Sequence, residues 1–189
     1  MEECTAEEVE RMLPLVSAER REQALKYKHT LGQFCCLKSW LMLEELLLTT
    51  TKLAQNQHLI PMKLRNPWIY NEHGKPFLPD GPYFSISHCK EGIAVSIDEQ
   101  PIGIDIEGIR HADQDLVERV MNDQEREKMD DRQFTRLWTQ KEAVLKAQGT
   151  GICSFEQLQT VLIDSPYQID TVETEKYIYS IAYKSSNCK

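Results

Sequence analysis

Apolar and polar residues alternate most strictly over residues 101–107, where Ile102, Ile104 and Ile106 interleave with Gly103, Asp105 and Glu107. A period of two predicts a half-buried strand with the isoleucines on the core side. Residues 83–88 and 92–98 alternate in the same way and read as a hairpin. A helical period governs residues 134–146, where Phe134, Leu137, Trp138, Val144 and Leu145 form one apolar stripe interrupted by Lys141. Gly149 follows as a C′ glycine. Upstream, residues 34–48 are apolar on most sides and predict the buried helix of the first half.

Local signals supply the remaining elements. Thr5-Ala-Glu-Glu8 is a capping box that starts a helix, Pro14 ends it, and Ser17 opens another. Residues 66–77 read as strand, turn and strand with Gly74 at the tip. Residues 113–121 predict a short helix, and Asn122 to Glu125 cap a following one. Residues 158–163 and 177–183 read as strands closing a second sheet. This mixture predicts an α+β fold, with Ile102 a natural divide between residues 1–100 and 101–189.

Composition adds little to this but excludes several classes. At 41% hydrophobic and 28% charged residues, the 189-residue chain has an ordinary globular composition. A net charge of -8 argues against a general nucleic-acid binder. No apolar run reaches membrane-spanning length, and the first residues lack a secretory signal, so the expected location is the cytoplasm. The six cysteines show no metal-ligand spacing and read as free thiols.

The chemistry concentrates in two stretches. Asp105 and Glu107 share a strand face, roughly 7 Å apart along the backbone. They read either as a solvated strand end or as a seat for a hard divalent cation such as Mg²⁺. In the second stretch, Glu142 and Lys146 fit an ordinary i,i+4 surface pair. Lys141 does not, because a charge among core positions must be paired or bind something.

Gly103-Ile-Asp105-Ile-Glu107 followed by Trp138-x-x-Lys141-Glu142-x-x-x-Lys146 resembles the paired motif of the 4′-phosphopantetheinyl transferases. The likeness is to the larger, surfactin-synthetase-activator type, from near Glu19 to near Tyr183. The resemblance implies two similar α/β halves, a pseudo-dimer in which each helix packs on a small antiparallel sheet. Coenzyme A would lie in the cleft between them. The N-terminal half would contact the coenzyme's adenine and phosphates, and the C-terminal half would carry the metal and catalytic residues. It implies transfer of the phosphopantetheine arm to a serine of an apo acyl or peptidyl carrier protein, by a monomer that needs no nucleic acid or membrane. Asp105, Glu107 and Glu142 would hold Mg²⁺, with Glu142, Lys146 and Asp105 as the catalytic set. Gly74-Lys75-Pro76 resembles the segment against the adenine, and Ser87-His88 the phosphate-contacting segment. Lys141, Lys146 and Arg20 complete the expected coenzyme contacts. One departure is that the chain opens on a helix where the family has a leading strand.

Two rival readings use the same residues. The three acids could serve a Mg²⁺-dependent phosphohydrolase or nucleotide-binding enzyme, or the acidic chain could be a non-catalytic interaction module. A carrier, being acidic, would need a local basic surface; Arg110, Arg119, Arg126 and Lys128 between the motifs are the expected one.

Overall fold

The computed structural model describes residues 4–53, 69–79, 81–127 and 129–184. The chain forms two compact units, Met1–Ile69 with Leu78–Asp80, and Tyr70–Phe77 with Gly81–Lys189. It contains the helices and small antiparallel sheets of an α+β protein. No helix among the described residues is long and apolar enough to cross a membrane.

The first unit is helical. Helix α1 (Ala6–Met12) begins on the Thr5–Glu8 capping box and runs into a 3₁₀ turn containing Pro14. Helix α2 (Ala18–Leu25) starts at the Ser17 cap. Both pack on α3 (Thr30–Leu53), which buries Cys36, Trp40, Leu43 and Leu47 as one stripe. Over residues 34–48 only Lys38, Glu45 and Leu48 are exposed, so this part of α3 is covered on most sides, as its composition predicts. Arg20, one of the expected coenzyme contacts, is buried. Its guanidinium lies 4.0 Å over the Trp40 ring and 3.7 Å from Cys36 Sγ, to which it donates.

The second unit is built on strands. Strands β1 (Ile69–Tyr70) and β2 (Pro76–Phe77) form a hairpin whose tip holds Gly74 at φ +82°, where a side chain would be strained. Residues 66–68 of the expected first strand lie outside the described residues. Strands β3 (Tyr83–His88) and β4 (Ile93–Asp98) pair antiparallel, as their alternation predicts. Strand β5 (Ile102–Gly108) pairs with β7 (Tyr177–Tyr183), and β7 with β6 (Gln168–Glu173), giving the order β5-β7-β6. Helix α4 (Gln114–Val120) follows β5. Helix α5 (Asp131–Gln148) starts at the Asp130 cap and stops at Gly149 with φ +77°.

Two expectations are corrected. Residues 158–163 belong to helix α6 (Phe155–Thr160) and the turn after it, because Ser154 caps Gln157 N and starts a helix. Asn122 and Glu125 do exchange capping bonds of 2.9 and 3.0 Å, but they enclose a run of turns, and the helix starts only at Asp131.

Helix α5 lies across β5 and β7. It presents Thr135, Thr139, Ala143 and Ala147, a small-residue stripe at i,i+4 spacing. In β7, Ala182 and Ser180 stand opposite Gly103 and Asp105, and Thr139 shares a 2.9 Å hydrogen bond with Ser180. The glycine–carboxylate face of β5 is therefore roofed by the helix. Asp105 is 4% exposed, as deeply buried as Ile104 and Ile106. The strand is covered on both faces rather than half-buried.

A carboxylate cluster under helix α5

Asp105 sits at the centre of a hydrogen-bonded set. Its Oδ1 accepts from Lys146 Nζ at 2.6 Å and from the Ser87 hydroxyl at 2.7 Å. Lys146 also donates to Ser87 Oγ at 3.0 Å. Three elements supply these groups: β5 gives Asp105, β3 gives Ser87, and the last turn of α5 gives Lys146. Asp105 Oδ2 is buried and makes no hydrogen bond among the described residues.

Glu107 and Glu142 stand near enough to feel Asp105. Burial first, then the Asp105 charge, raises the Glu107 carboxyl above its ordinary pKa, with Arg110 and Lys146 opposing. The same two causes, in the same order, raise Glu142, again against Lys146 and Arg110. Glu91 in the β3–β4 turn lies against Gly108 and adds to the negative potential at Glu107. Sequence reading missed Glu91, for which turn position alone gives no signal.

Among the described residues no group of three or more His, Cys, Asp or Glu side chains is placed to hold a metal ion. The donor chemistry nevertheless fits a hard divalent cation. A buried carboxylate oxygen without a partner is costly, and two neighbouring carboxyls raised by burial and repulsion are relieved by positive charge.

Lys141 takes no part in the cluster, a correction to its expected coenzyme contact. Successive helix residues are about 100° apart around the axis, so Lys141 points away from Glu142 and into the core. Its ammonium is fully buried and donates to Glu125 Oε2 at 2.7 Å, Leu158 O at 2.6 Å and Val120 O at 3.2 Å. All three protons are used. Burial lowers its pKa, and the bond to Glu125 opposes the fall. Val120 and Leu158 belong to one hydrophobic cluster with Val117, Met121, Phe134 and Leu145. Lys141→Ala would strand the Glu125 carboxylate, which is 12% exposed, together with two carbonyls. The expected loss is about 3–5 kcal/mol, read from the urea midpoint. A loss below about 1 kcal/mol would place the pair in the range of a surface salt bridge.

The β1–β2 hairpin meets the end of the same helix. Asn71 Nδ2 donates to Gly149 O at 2.7 Å, while Asn71 Oδ1 accepts from His73 N and Lys75 N and shapes the turn. Lys75 Nζ donates to the Lys146 carbonyl, and to Ile102 O at 3.4 Å. Cationic and amide donors at a helix C-terminus satisfy carbonyls the helix leaves open. Beside this contact a pocket of about 240 Å³ is lined by Gly74, Lys75, Pro76, Ser85, Lys146 and Gly149 among others. Lys75 has its pKa lowered to about 8, chiefly by burial and further by the Lys146 charge. His88, at the exposed end of β3, is lowered too, by loss of solvation and then by Lys146. Its imidazole is thus biased towards the neutral form.

The basic residues between the motifs are individually engaged. Arg110 lies 5.2 Å over the Trp138 ring and 5.8 Å over Phe134. Arg119 lies 5.7 Å over Phe155, and Arg126 donates to Met121 O and Glu118 O. Lys128 lies outside the described residues. The Cys89 thiol is raised, mainly by burial, which is the opposite of what a nucleophile needs.

Residues 101–186 match the family model described as the 4′-phosphopantetheinyl transferase superfamily. A 4′-phosphopantetheinyl transferase of Bacillus subtilis is 32% identical over 157 residues, 78% of this chain and 66% of that protein. The 4′-phosphopantetheinyl transferase gsp of Aneurinibacillus migulanus is 29% identical over 87% of this chain and 65% of its own length. The transferase AcpT of Escherichia coli K12 is 39% identical over 52% of this chain and 54% of that protein. The chain thus spans at most about two thirds of these relatives.

Proposed function

Because the chain belongs to the 4′-phosphopantetheinyl transferase superfamily, we propose that it moves the 4′-phosphopantetheine arm of coenzyme A onto a serine of an apo acyl or peptidyl carrier protein. The observation that carries this reading is the Asp105–Ser87–Lys146 set, with Asp105 Oδ2 unpartnered and two raised carboxyls beside it. Two similar halves, 1–100 and 101–189, belong to the same reading.

In the proposed reaction the carrier serine oxygen bonds to the β-phosphorus of coenzyme A. The bond from that phosphorus to the bridging pyrophosphate oxygen breaks, and adenosine 3′,5′-bisphosphate leaves. Such transfers spread negative charge over phosphate oxygens, so positioning and charge neutralisation dominate. Asp105, Glu107 and Glu142 would hold Mg²⁺, which when bound neutralises pyrophosphate charge. Glu142, whose carboxyl is raised above its ordinary pKa by burial and by Asp105, takes the serine proton. Lys146 supplies positive charge to the departing end. Gly74, Lys75 and Pro76 face the coenzyme from the pocket beside the α5 terminus, and His88, at the end of β3, contacts its phosphates. Arg110, on its aromatic platform, offers charge to an acidic carrier.

The decisive test is to incubate the protein with Mg²⁺, coenzyme A and an apo carrier, then weigh the carrier. A gain of one phosphopantetheine is expected. Coenzyme cleavage without any gain would make the protein a phosphohydrolase; neither event would leave an interaction module.

The low pKa of Lys75 gives a pH prediction. The folded state releases this proton near pH 8, the unfolded chain near its ordinary 10.5. The group's destabilisation is therefore full below about 8 and is lifted as the pH rises towards 10.5. Anion binding runs the other way, since the charge that attracts phosphate disappears as pH rises through about 8. Affinity for adenosine 3′,5′-bisphosphate, measured by calorimetry, is expected to fall across this window. Lys75→Met should bind more weakly at low pH and lose the step; a wild-type profile that stays flat would place the ammonium away from the anion.

A further inference from the structure

β5 is the outer strand of its sheet, yet its free edge is not left open. On that edge the Ile104 N–H donates to Ser85 Oγ at 3.0 Å and the Ile106 N–H to Ser87 Oγ at 3.3 Å. The two hydroxyls, both buried, join β3 to β5 where backbone carbonyls would join a continuous sheet. Their spacing of two residues matches the pleat, so each reaches successive outward N–H groups.

The two serines differ in what else they do. Ser87 Oγ accepts from Ile106 N and from Lys146 Nζ, and its single proton goes to Asp105 Oδ1. A hydroxyl has one proton and two lone pairs, and all three are used. Ser87 is therefore committed inside the fold, where sequence resemblance made it a phosphate contact. Asp105 Oδ1 is saturated by the same bonds, and Oδ2 has no partner among the described residues.

Building on the function proposed above, we infer that Ser87 is a positioning residue that acts through Asp105. Its hydroxyl ties the carboxylate to the β5 backbone and to Lys146 through one oxygen, fixing the rotamer that leaves the other oxygen for the divalent cation. Groups that hydrogen-bond a metal-binding carboxylate change metal affinity by roughly 10- to 100-fold when removed.

The experiment uses the whole protein and Mn²⁺ alone as probe, with free ion followed by electron paramagnetic resonance. Relative to wild type, Ser87→Ala is expected to weaken Mn²⁺ binding by roughly 10- to 100-fold, and Ser87→Thr, which keeps the hydroxyl, to recover most of it. Ser85→Ala removes the other backbone latch and should lower the urea midpoint while leaving Mn²⁺ affinity near wild type. In turnover assays Ser87→Ala should lower kcat with little change in KM for coenzyme A. Wild-type binding of Mn²⁺ with Ser87→Ala unchanged would overturn this inference and leave the proposed function standing. So would a rise in coenzyme KM alone, which marks a direct contact. Equal loss in Ser85→Ala and Ser87→Ala would also overturn it, since that marks strand anchoring. A wild-type protein that binds no Mn²⁺ would overturn the metal-dependent function and this inference together.

Discussion

Asp105→Ala is expected to lower kcat/KM for carrier modification by about 100- to 1000-fold, the range seen when one charge-stabilising group is removed from a reaction centre. The side chain is 4% exposed and is the shared partner of Lys146 and Ser87. Its removal leaves the Lys146 ammonium without its counter-charge. That side chain is 28% exposed, so it can turn to solvent, and the stability loss should stay near 1–3 kcal/mol rather than the full loss of a buried pair. The repulsion raising Glu107 and Glu142 is relieved at the same time, so both carboxyls should titrate lower in the variant. The protein should remain folded by circular dichroism while the Mg²⁺ dependence of coenzyme binding disappears in calorimetry. Activity within a few-fold of wild type would remove the cluster from the chemistry.

Gly103→Ala is expected to destabilise the fold severely. A Cβ at this position would collide with the Ala143 carbonyl oxygen and lie 2.5 Å from Ala147 N. Both are backbone atoms of α5, held by the helix's own hydrogen bonds, so neither can swing aside as a side-chain tip would. The helix must lift from β5, and it is the element that carries Glu142 and Lys146. Overpacking of a well-filled core typically destabilises by about 1–3 kcal/mol, and this position should reach or exceed the upper end. Urea denaturation of purified variant, or loss of soluble protein, reads the effect. A midpoint near wild type would mean that the strand and helix separate more easily than their packing indicates.

Most of the secondary structure could be read from the sequence because it rests on local rules. The Thr5–Glu8 box, the Ser17 cap and the Gly149 stop act within one turn of chain, and all are found. The alternation of residues 101–107 likewise yields a strand. The error at residues 158–163 is of the same kind: a short apolar run does not separate strand from helix, and the Ser154 cap decided it. Periodicity also brought Asp105 and Glu107 to one face and set Glu142 and Lys146 one turn apart. What it could not reveal is which face the helix would cover, because that depends on Gly103, Ala143 and Ala182 being small enough to meet. Nor could it choose partners for buried charges. The sequence required that Lys141 be paired, but Glu125, Val120 and Leu158 reach it only when three separate segments close around the helix. Ser87 is the same case in reverse: its motif suggested a ligand contact, and packing of β3 against β5 gave its hydroxyl three partners inside the protein. Local sequence set where the charged groups lie along each element; desolvation on packing, which no charge tolerates unpaired, settled which of them face one another.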